Sequence, residues 1–210
     1  MQGEGHKRGA AIVFVVDDDA SVCEALSSLL RAVGWQVRTF VNAAAFLEFR
    51  RPDLPACLVL DVRLPGVSGL DLQRQLAGRG DALPIIFMSS HGDIPMAVQA
   101  MKAGAVEFLP KPFREEDLLS VVDGAIERDA AARADRAGLA GLRQRIGSLS
   151  TREHEVMLLI LKGFLNKQAA AALGITEATV KVHRRHIMEK MAAESLPELV
   201  RMVERVQPTG

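Results

Sequence analysis

Five polar residues in the first part of the chain have side chains that could together bind and accept a phosphoryl group. Carboxylates that lie close together repel one another and favour a cation, and oxygen-only ligands with room for water suit Mg²⁺. A lysine ammonium adds positive charge and a serine hydroxyl adds a hydrogen bond, and both stabilise a phosphoryl group in transfer. A carboxylate can also accept the group as an acyl phosphate. The five residues are Asp17, Asp18, Asp61, Ser89 and Lys111, with Asp61 as the predicted nucleophile.

Short apolar runs place these residues at the ends of predicted strands. The run that ends at Asp61 is short for a helix and is stopped by Pro65-Gly66, so we interpret it as a buried strand. Strands and helices alternate five times before residue 128, which indicates a doubly wound α/β fold with a parallel sheet. The predicted strands are 11–16, 36–40, 57–61, 84–88 and 106–109, and the predicted helices are 20–33, 43–50, 69–77, 94–103 and one that begins near 114.

The five polar residues should therefore converge at one edge of the sheet, because ligands of open parallel sheets bind outside the carboxyl ends of the strands. The alternative is that each aspartate only caps a helix or a turn. We prefer that alternative for Asp19. For Asp17, Asp18, Asp61 and Lys111 taken together, a shared site is the better explanation.

The composition allows a substantial core, since 49% of the 210 residues are hydrophobic, and the formal net charge is zero. Residues 1–128 carry a net charge of −4, whereas 129–147 and 148–210 carry +2 each, a distribution compatible with nucleic-acid binding by the last segment. Cys23 and Cys57 lie in apolar contexts, so we expect two reduced, buried thiols. No signal peptide and no run of roughly 18 apolar residues is present, which favours a cytoplasmic location away from membranes.

Residues 129–147 differ from the segments on either side. They are rich in alanine and arginine, both good helix formers, and contain few residues that could join a core. We predict a helical linker with Gly138 and Gly141 as weak points, and a flexible tether is the alternative. The predicted organisation is a first domain at 10–128, this linker, and a second domain at 148–210.

The last segment contains two helices joined by a tight turn, which is the arrangement of a helix-turn-helix. A short helix is predicted at 167–173, with Asn166 as its cap, and Gly174 ends it. A longer helix follows at 176–191. Its outer face is basic and its inner face apolar, which suits a recognition helix in the major groove, although a solvated surface helix often has the same pattern. The basic residues are Lys181, Arg184, Arg185 and Lys190, and the apolar residues are Val180, Ile187 and Met191.

Both halves of the chain resemble known domains. VVDDD (15–19), LVLDVRLPGVSGLDL (58–72), FMSSHGD (87–93) and AVEFLPKPF (105–113) resemble the receiver domain of two-component response regulators, in the family's order and spacing. LSTREHEVMLLILKG and NKQAAAALGITEATVKVHRRHIMEKM resemble the LuxR-type DNA-binding domain. The combination is similar to the FixJ/NarL class of transcriptional regulators, and HGDIPMAVQAMKAGA (91–105) is similar to its FixJ-like branch.

The receiver resemblance implies a flavodoxin-like fold and a phosphorylation site. It implies that a sensor histidine kinase phosphorylates Asp61, that Asp18, Asp61 and the backbone carbonyl of Arg63 bind Mg²⁺, and that Asp17 reaches the ion through water. Lys111 would pair with the phosphoryl group.

The same resemblance implies a switch. The hydroxyl of Ser89 would turn to the phosphoryl group and Phe108 would turn inward, with an ordinary core phenylalanine as the alternative for Phe108. It also implies a cis Lys111-Pro112 peptide bond and a role for His91 in tuning hydrolysis, although a solvated loop residue explains His91 equally well.

The LuxR-type resemblance implies contacts with promoter DNA. Base contacts specify sequence and phosphate contacts position the domain. The residues expected at base edges are Lys181, Val182 and Arg185, and those expected at phosphates or on the same basic face are Thr179, His183, Arg184, Asn166 and Lys167.

The predicted function is phosphorylation-dependent regulation of transcription. The protein would dimerise when Asp61 is phosphorylated, bind an inverted repeat and contact RNA polymerase, and its own chemistry would be limited to Mg²⁺-dependent phosphorylation and dephosphorylation of that aspartate. An aspartyl-phosphate hydrolase is disfavoured because Arg63 occupies the position where such enzymes have a second aspartate. The alternative is a constitutive DNA-binding regulator with a vestigial receiver used for protein docking.

Overall fold

The computed structural model describes residues 10–90 and 94–206 and divides into two compact units between Arg133 and Ala134. His91 therefore lies outside the described residues. The first unit alternates strands and helices in the predicted order. Its elements are β1 (Ile12–Val16), α1 (Ala20–Ala32), β2 (Gln36–Phe40), α2 (Ala43–Glu48), β3 (Ala56–Asp61), α3 (Gly69–Gly78), β4 (Ile85–Ser89), α4 (Ile94–Lys102), β5 (Glu107–Pro110) and the start of α5 (Glu115–Gly147).

The five strands form one parallel sheet in the order β2-β1-β3-β4-β5, which confirms the predicted doubly wound α/β fold. Successive residues of β1 enter different core clusters: Val13 and Val15 pack on one face of the sheet and Phe14 on the other. All six residues of β3 are buried. The first cluster also contains Trp35, which is 6% exposed.

Several predicted boundaries were wrong by one or two residues. The second helix ends at Glu48, because Phe49 is already extended. The fourth strand is Ile85–Ser89 and the fifth is Glu107–Pro110, each shifted by one residue towards the carboxyl end. Hydrogen bonding to the neighbouring strand defines a strand end, and the apolar pattern alone does not.

The residues predicted as a linker are helical throughout. They belong to α5, a single helix of 33 residues from Glu115 to Gly147, and neither Gly138 nor Gly141 interrupts it. A flexible tether, the alternative, is not what the structure contains. Within the described residues, no helix is long and apolar enough to cross a membrane.

The second unit is helical and has its own core. Val156, Ile160, Val180, Ile187 and Met191 are buried together, and the last three are the residues predicted to face inward from the longer helix. Its helices after α5 are α6 (Thr151–Leu161), α7 (Asn166–Leu173), α8 (Glu177–Met191) and α9 (Leu196–Val206).

Local capping explains where these helices begin. The Ser150 side chain accepts a hydrogen bond from the Glu153 N–H at 3.3 Å, and the Glu153 carboxylate accepts one from the Ser150 N–H at 2.7 Å, which together form a capping box at the start of α6. The prediction for α7 was wrong, because Leu165 is the cap and Asn166 is the first helical residue. The Gln168 side chain accepts the Leu165 N–H at 2.8 Å, at the start of this helix.

Candidate functional site

Two of the predicted aspartates and the predicted lysine meet at the carboxyl edge of the sheet. Lys111 Nζ donates to Asp17 Oδ2 at 2.8 Å and to Asp61 Oδ1 at 2.9 Å. The side chains of Asp17 and Asp61 are 3% and 9% exposed, and that of Lys111 is 20% exposed. One ammonium therefore bridges two largely buried carboxylates that come from different strand ends.

Main-chain groups hold both carboxylates in place. The Arg63 N–H donates to Asp61 Oδ2 at 2.7 Å, and the Asp19 N–H donates to Asp17 Oδ1 at 2.9 Å. Asp19 itself is the cap of α1 and accepts the Ser21 N–H at 2.8 Å, as we expected from the sequence. Each buried carboxylate thus uses one oxygen for a backbone N–H and the other for Lys111.

The surroundings of Lys111 raise the pKa of its ammonium group. Burial would lower the pKa of its ammonium, but the hydrogen bonds and negative charges of Asp17 and Asp61 together outweigh burial and raise that pKa. A raised pKa means that this pairing contributes its full stabilisation at neutral pH and loses it only when the pH rises through the folded-state value. Lys111 is therefore a permanent cation of the site under ordinary conditions.

Asp18 does not join this cluster. Its side chain is exposed, and across residues 10–90 and 94–206 no three His, Cys, Asp or Glu side chains lie close enough together to hold a metal ion. Asp18 lies in a bend after the end of β1, so its side chain is exposed whereas that of Asp17 is buried. The carboxylate ligands at this edge are nevertheless all oxygen atoms, and the two buried aspartates against one lysine leave a net negative charge. Mg²⁺ fits that donor set and that charge.

The two predicted switch residues lie beside the cluster. Ser89 is 2% exposed at the end of β4, and its carbonyl oxygen accepts the Lys111 N–H at 2.7 Å. Phe108 is half-buried on β5, with its ring centroid 6.4 Å from that of Phe87. The Lys111-Pro112 peptide bond is cis, as the family resemblance implied.

The sequence analysis did not identify Gly69, which packs closely against the main chain of Asp61. Gly69 is the first residue of α3, and a Cβ atom built on it would lie 2.4 Å from the carbonyl oxygen of Asp61. Its N–H also donates to the Val62 carbonyl at 2.9 Å. The start of α3 therefore packs directly against the main chain of the predicted nucleophile. The only sequence signal that could have indicated this contact is the dipeptide Ser68-Gly69 within LPGVSGLDL.

The helix-turn-helix is formed by α7 and α8. Gly174 joins them in the left-handed conformation, with φ at 66°, and Thr176 caps α8 by accepting the Thr179 N–H at 3.1 Å. Lys181, Val182 and Arg185, the residues predicted to reach base edges, are all exposed on α8. Lys181 and Arg185 form surface ion pairs with Glu177 and Glu189 of the same helix, at 3.4 and 3.8 Å.

The residues predicted to meet phosphates are less uniform. Lys167 is exposed, whereas Thr179 and His183 are half-buried. Arg184 and Asn166 are bonded to each other, with the Arg184 guanidinium donating to Asn166 Oδ1 at 3.1 Å. This pair joins α7 to α8, so Arg184 fixes the angle of the helix-turn-helix in addition to any contact with DNA.

Glu153 connects the start of α6 to the end of α8. Its carboxylate accepts Lys190 Nζ at 2.6 Å as well as the Ser150 N–H, and His186 Nδ1 lies 3.7 Å away. The hydrogen bond from Lys190, followed by that from Ser150, lowers the pKa of Glu153 to about 2. Because a depressed carboxyl pKa stabilises the folded state only where the group is ionised, this contribution is present above the ordinary pKa and disappears as the pH falls towards 2.

We expect Glu153→Gln to destabilise the second unit by about 2 kcal/mol at pH 7, since hydrogen bonds to charged groups contribute amounts of that order. The difference from wild type should shrink as the pH is lowered from about 5 to 3. Hydrogen exchange of α6 and α8 amides across this pH range measures the difference in stability between the variant and wild type. Glu155→Gln is the control, because Glu155 forms a surface pair with Arg152. Equal losses in the two variants would contradict the prediction.

A receiver sheet with a lysine-bridged aspartate pair, followed by a helix-turn-helix with an exposed basic face, defines the class of DNA-binding response regulators. Residues 13–123 match the family model for the response regulator receiver domain, and residues 147–203 match that for bacterial regulatory proteins of the luxR family. The chain belongs to the LuxR-type response regulators of two-component systems, in the FixJ/NarL class.

Individual relatives support the same assignment. The response regulator protein TodT of Pseudomonas putida is 50% identical over 198 residues, covering 94% of this chain and 87% of TodT. The transcriptional regulatory protein FixJ of Azorhizobium caulinodans is 44% identical over 190 residues, covering 90% of each chain. The solved structure of the response regulator StyR is 52% identical, with a TM-score of 0.88 and coverage of 93% of this chain and 99% of StyR. A receiver domain implies a sensor kinase as partner, and the luxR-family domain implies binding to DNA.

Proposed function

We propose that this protein accepts a phosphoryl group on Asp61 from a sensor histidine kinase and then binds promoter DNA as a dimer. The observation that carries the proposal is the pairing of both Asp61 and Asp17 with Lys111 at the carboxyl edge of the sheet. Asp61 is the acceptor, because its carboxylate is held at the end of β3 by the Arg63 N–H. Lys111 stabilises the negative charge that the phosphoryl group brings.

The proposed cofactor is Mg²⁺. Asp17, Asp18, Asp61 and the backbone carbonyl of Arg63 are the groups that would hold it, and the excess negative charge of this edge supports the choice. The ion would supply charge neutralisation for phosphoryl transfer. The chain's own contribution is to position Asp61 and Lys111 and to bury Asp17, and its chemistry is limited to gaining and losing the phosphoryl group on this one aspartate.

The proposed switch runs from Ser89 to Phe108. The phosphoryl group adds a charge of about −1.5 to −2 and strong acceptor oxygens, to which the Ser89 hydroxyl would turn. Phe108, half-buried against Phe87, would turn further inward. Dimerisation is supported by α4, on which Ile94 is 77% and Val98 46% exposed.

The proposed contacts with DNA follow the exposed face of α8. Base edges would be met by Lys181, Val182 and Arg185, and two half-sites in an inverted repeat would match a dimer. The proposed phosphate contacts are Thr179, His183, Lys167, Asn166 and, on the same face, Arg184.

RNA polymerase is the proposed further partner at the promoter, and the proposed location of the protein is therefore the cytoplasm. We retain 10–128, 129–147 and 148–210 as the receiver, linker and DNA-binding domain.

The experiment that tests the proposal adds acetyl phosphate and Mg²⁺ to the full-length protein. Wild type should gain one phosphoryl group by intact mass and bind more tightly to a duplex selected from random-sequence DNA. Asp61→Asn should gain none and show no change in DNA affinity. Asp117→Asn is the matched control, since Asp117 is an exposed aspartate in the first turn of α5.

A second arm separates binding to DNA from phosphorylation. Arg185→Ala should still take the phosphoryl group but lose affinity by about 1 to 3 kcal/mol, the range for a specific base contact. Arg152→Ala, a surface arginine of α6, is its control. If wild type takes no phosphoryl group yet binds DNA equally well with and without the donor, the vestigial-receiver alternative is correct.

A further inference from the structure

A buried carboxylate lies at the other end of β3 from Asp61. The side chain of Asp129, on α5, is 2% exposed, and its Oδ2 atom accepts the Ala56 N–H at 2.9 Å and the Arg133 Nε at 2.6 Å. Arg133 also pairs with Asp53, in the segment before β3. We call Asp53, Ala56, Asp129 and Arg133 the α5 clasp.

The clasp attaches a helix to the strand that carries the phosphorylation site. Ala56 is the first residue of β3 and Asp61 is the last, and the strand is hydrogen-bonded to β1 on one side and β4 on the other. A carboxylate this buried is stable only when paired, and Asp129 is paired with both a main-chain N–H and a guanidinium. Both ends of β3 are thus held by a buried aspartate: Asp61 with Lys111 at one end, and Asp129 with Arg133 at the other.

The clasp also has a particular position along the chain. Asp129 and Arg133 lie beyond residues 13–123, the part that matches the receiver family model, and directly before the boundary between the two units. From there α5 continues to Gly147 through the segment predicted as a linker. The bonded contact is therefore made by the last turns of α5 within the first unit.

A cavity adjoins the clasp. A cavity of about 300 Å³ is lined by Phe14, Phe49 and Arg51 together with Asp53 and Arg133. The guanidinium of Arg133 therefore borders unfilled space and is not enclosed by core side chains.

We infer that the α5 clasp couples the phosphorylation state of Asp61 to the DNA-binding domain, with Asp129 as the positioning residue of that coupling. The inference rests on the proposed function. Phosphorylation changes the charge at one end of β3, and the clasp is a hydrogen-bonded contact through which a shift of this strand would reach α5. Allosteric coupling of about 5- to 150-fold in affinity is typical of such devices.

The test uses two clasp variants of the full-length protein and two controls on the same helix. Asp129→Asn keeps an acceptor for the Ala56 N–H but removes the charge, and Arg133→Gln leaves Asp129 in place without its guanidinium. Glu127→Gln and Arg128→Gln make the same charge changes at exposed positions of α5. Each protein is treated with acetyl phosphate and Mg²⁺ and measured for mass, for exchange of the Ala56 amide, and for affinity to the selected duplex with and without the donor.

Both clasp variants should take one phosphoryl group as wild type does, whereas their ratio of DNA affinities with and without the donor should fall about tenfold, within the usual range of allosteric coupling. The controls should keep the wild-type ratio. A normal ratio in both clasp variants, with faster exchange of the Ala56 amide, would show a purely structural contact and overturn the inference. If Asp129→Asn does not fold, the affinity ratio of Arg133→Gln alone decides whether the inference holds. If wild type itself shows no gain with the donor, the proposed function fails and the inference fails with it.

Discussion

Replacing Lys111 with methionine should lower the free energy of unfolding of the receiver by about 3 kcal/mol, the lower end of the cost of removing one partner from a buried ion pair. Asp17 and Asp61 are each less than 10% exposed and share this one ammonium. Methionine has a similar length but no charge, so two carboxylates would remain close together without a cation. Hydrogen exchange of β1 and β3 amides measures the loss.

Mg²⁺ should restore part of the stability lost in Lys111→Met, because a divalent ion can take over the neutralisation of the two carboxylates. Wild type, which has its own cation, should gain less. Lys102→Met is the control, since Lys102 is an exposed lysine in the last turn of α4. A loss of equal size in both variants, or no response to Mg²⁺ in Lys111→Met, would contradict the assignment of Lys111 as the cation of this site.

Replacing Gly69 with alanine should abolish phosphorylation of Asp61 and destabilise the receiver by about 3 kcal/mol, as overpacking of a dense core does. The added Cβ would lie 2.4 Å from the Asp61 carbonyl oxygen and 3.1 Å from both the Phe87 ring and the Val62 Cα. The nearest of these is a main-chain atom, so relief requires β3 to move. That movement would displace the Asp61 carboxylate from Lys111.

Gly78→Ala is a matched control for Gly69→Ala, because a Cβ on Gly78 meets nothing within 4 Å. Both glycines belong to α3, and the substitution at Gly78 should leave stability unchanged or slightly raised through higher helix propensity. Intact mass after treatment with acetyl phosphate and urea unfolding of the receiver are the two measurements. Normal phosphorylation of Gly69→Ala would show that β3 yields more easily than the packing indicates.

The features predicted best from the sequence are those that depend on residues close together in the chain. Apolar runs of strand length that end in Asp17 and Asp61 predicted the sheet and the edge at which these residues meet. The inward face of α8 was equally predictable, because Val180, Ile187 and Met191 recur at helical spacing on an otherwise basic helix. The capping box at Ser150 and Glu153 is local as well, and the structure contains it.

Contacts between distant residues were not predictable in this way. Asp129 and Ala56 are 73 positions apart, and a single aspartate in an alanine- and arginine-rich helix carries no sign of burial. The approach of Gly69 to Asp61 depends on how α3 packs under β3. The exposure of Asp18 depends on the path of the chain after β1. Each of these features is determined by tertiary packing, and the local periodicity of the sequence carries no information about that packing.

The position of Trp35 has a spectroscopic consequence. It is the chain's one tryptophan, no tyrosine is present, and it lies in the core of the first unit. Tryptophan fluorescence therefore reports only on the receiver, whereas far-ultraviolet ellipticity is dominated by the helices of both units. Melting curves recorded by the two signals separate the unfolding of the receiver from that of the helix-turn-helix in the intact protein, without any introduced label.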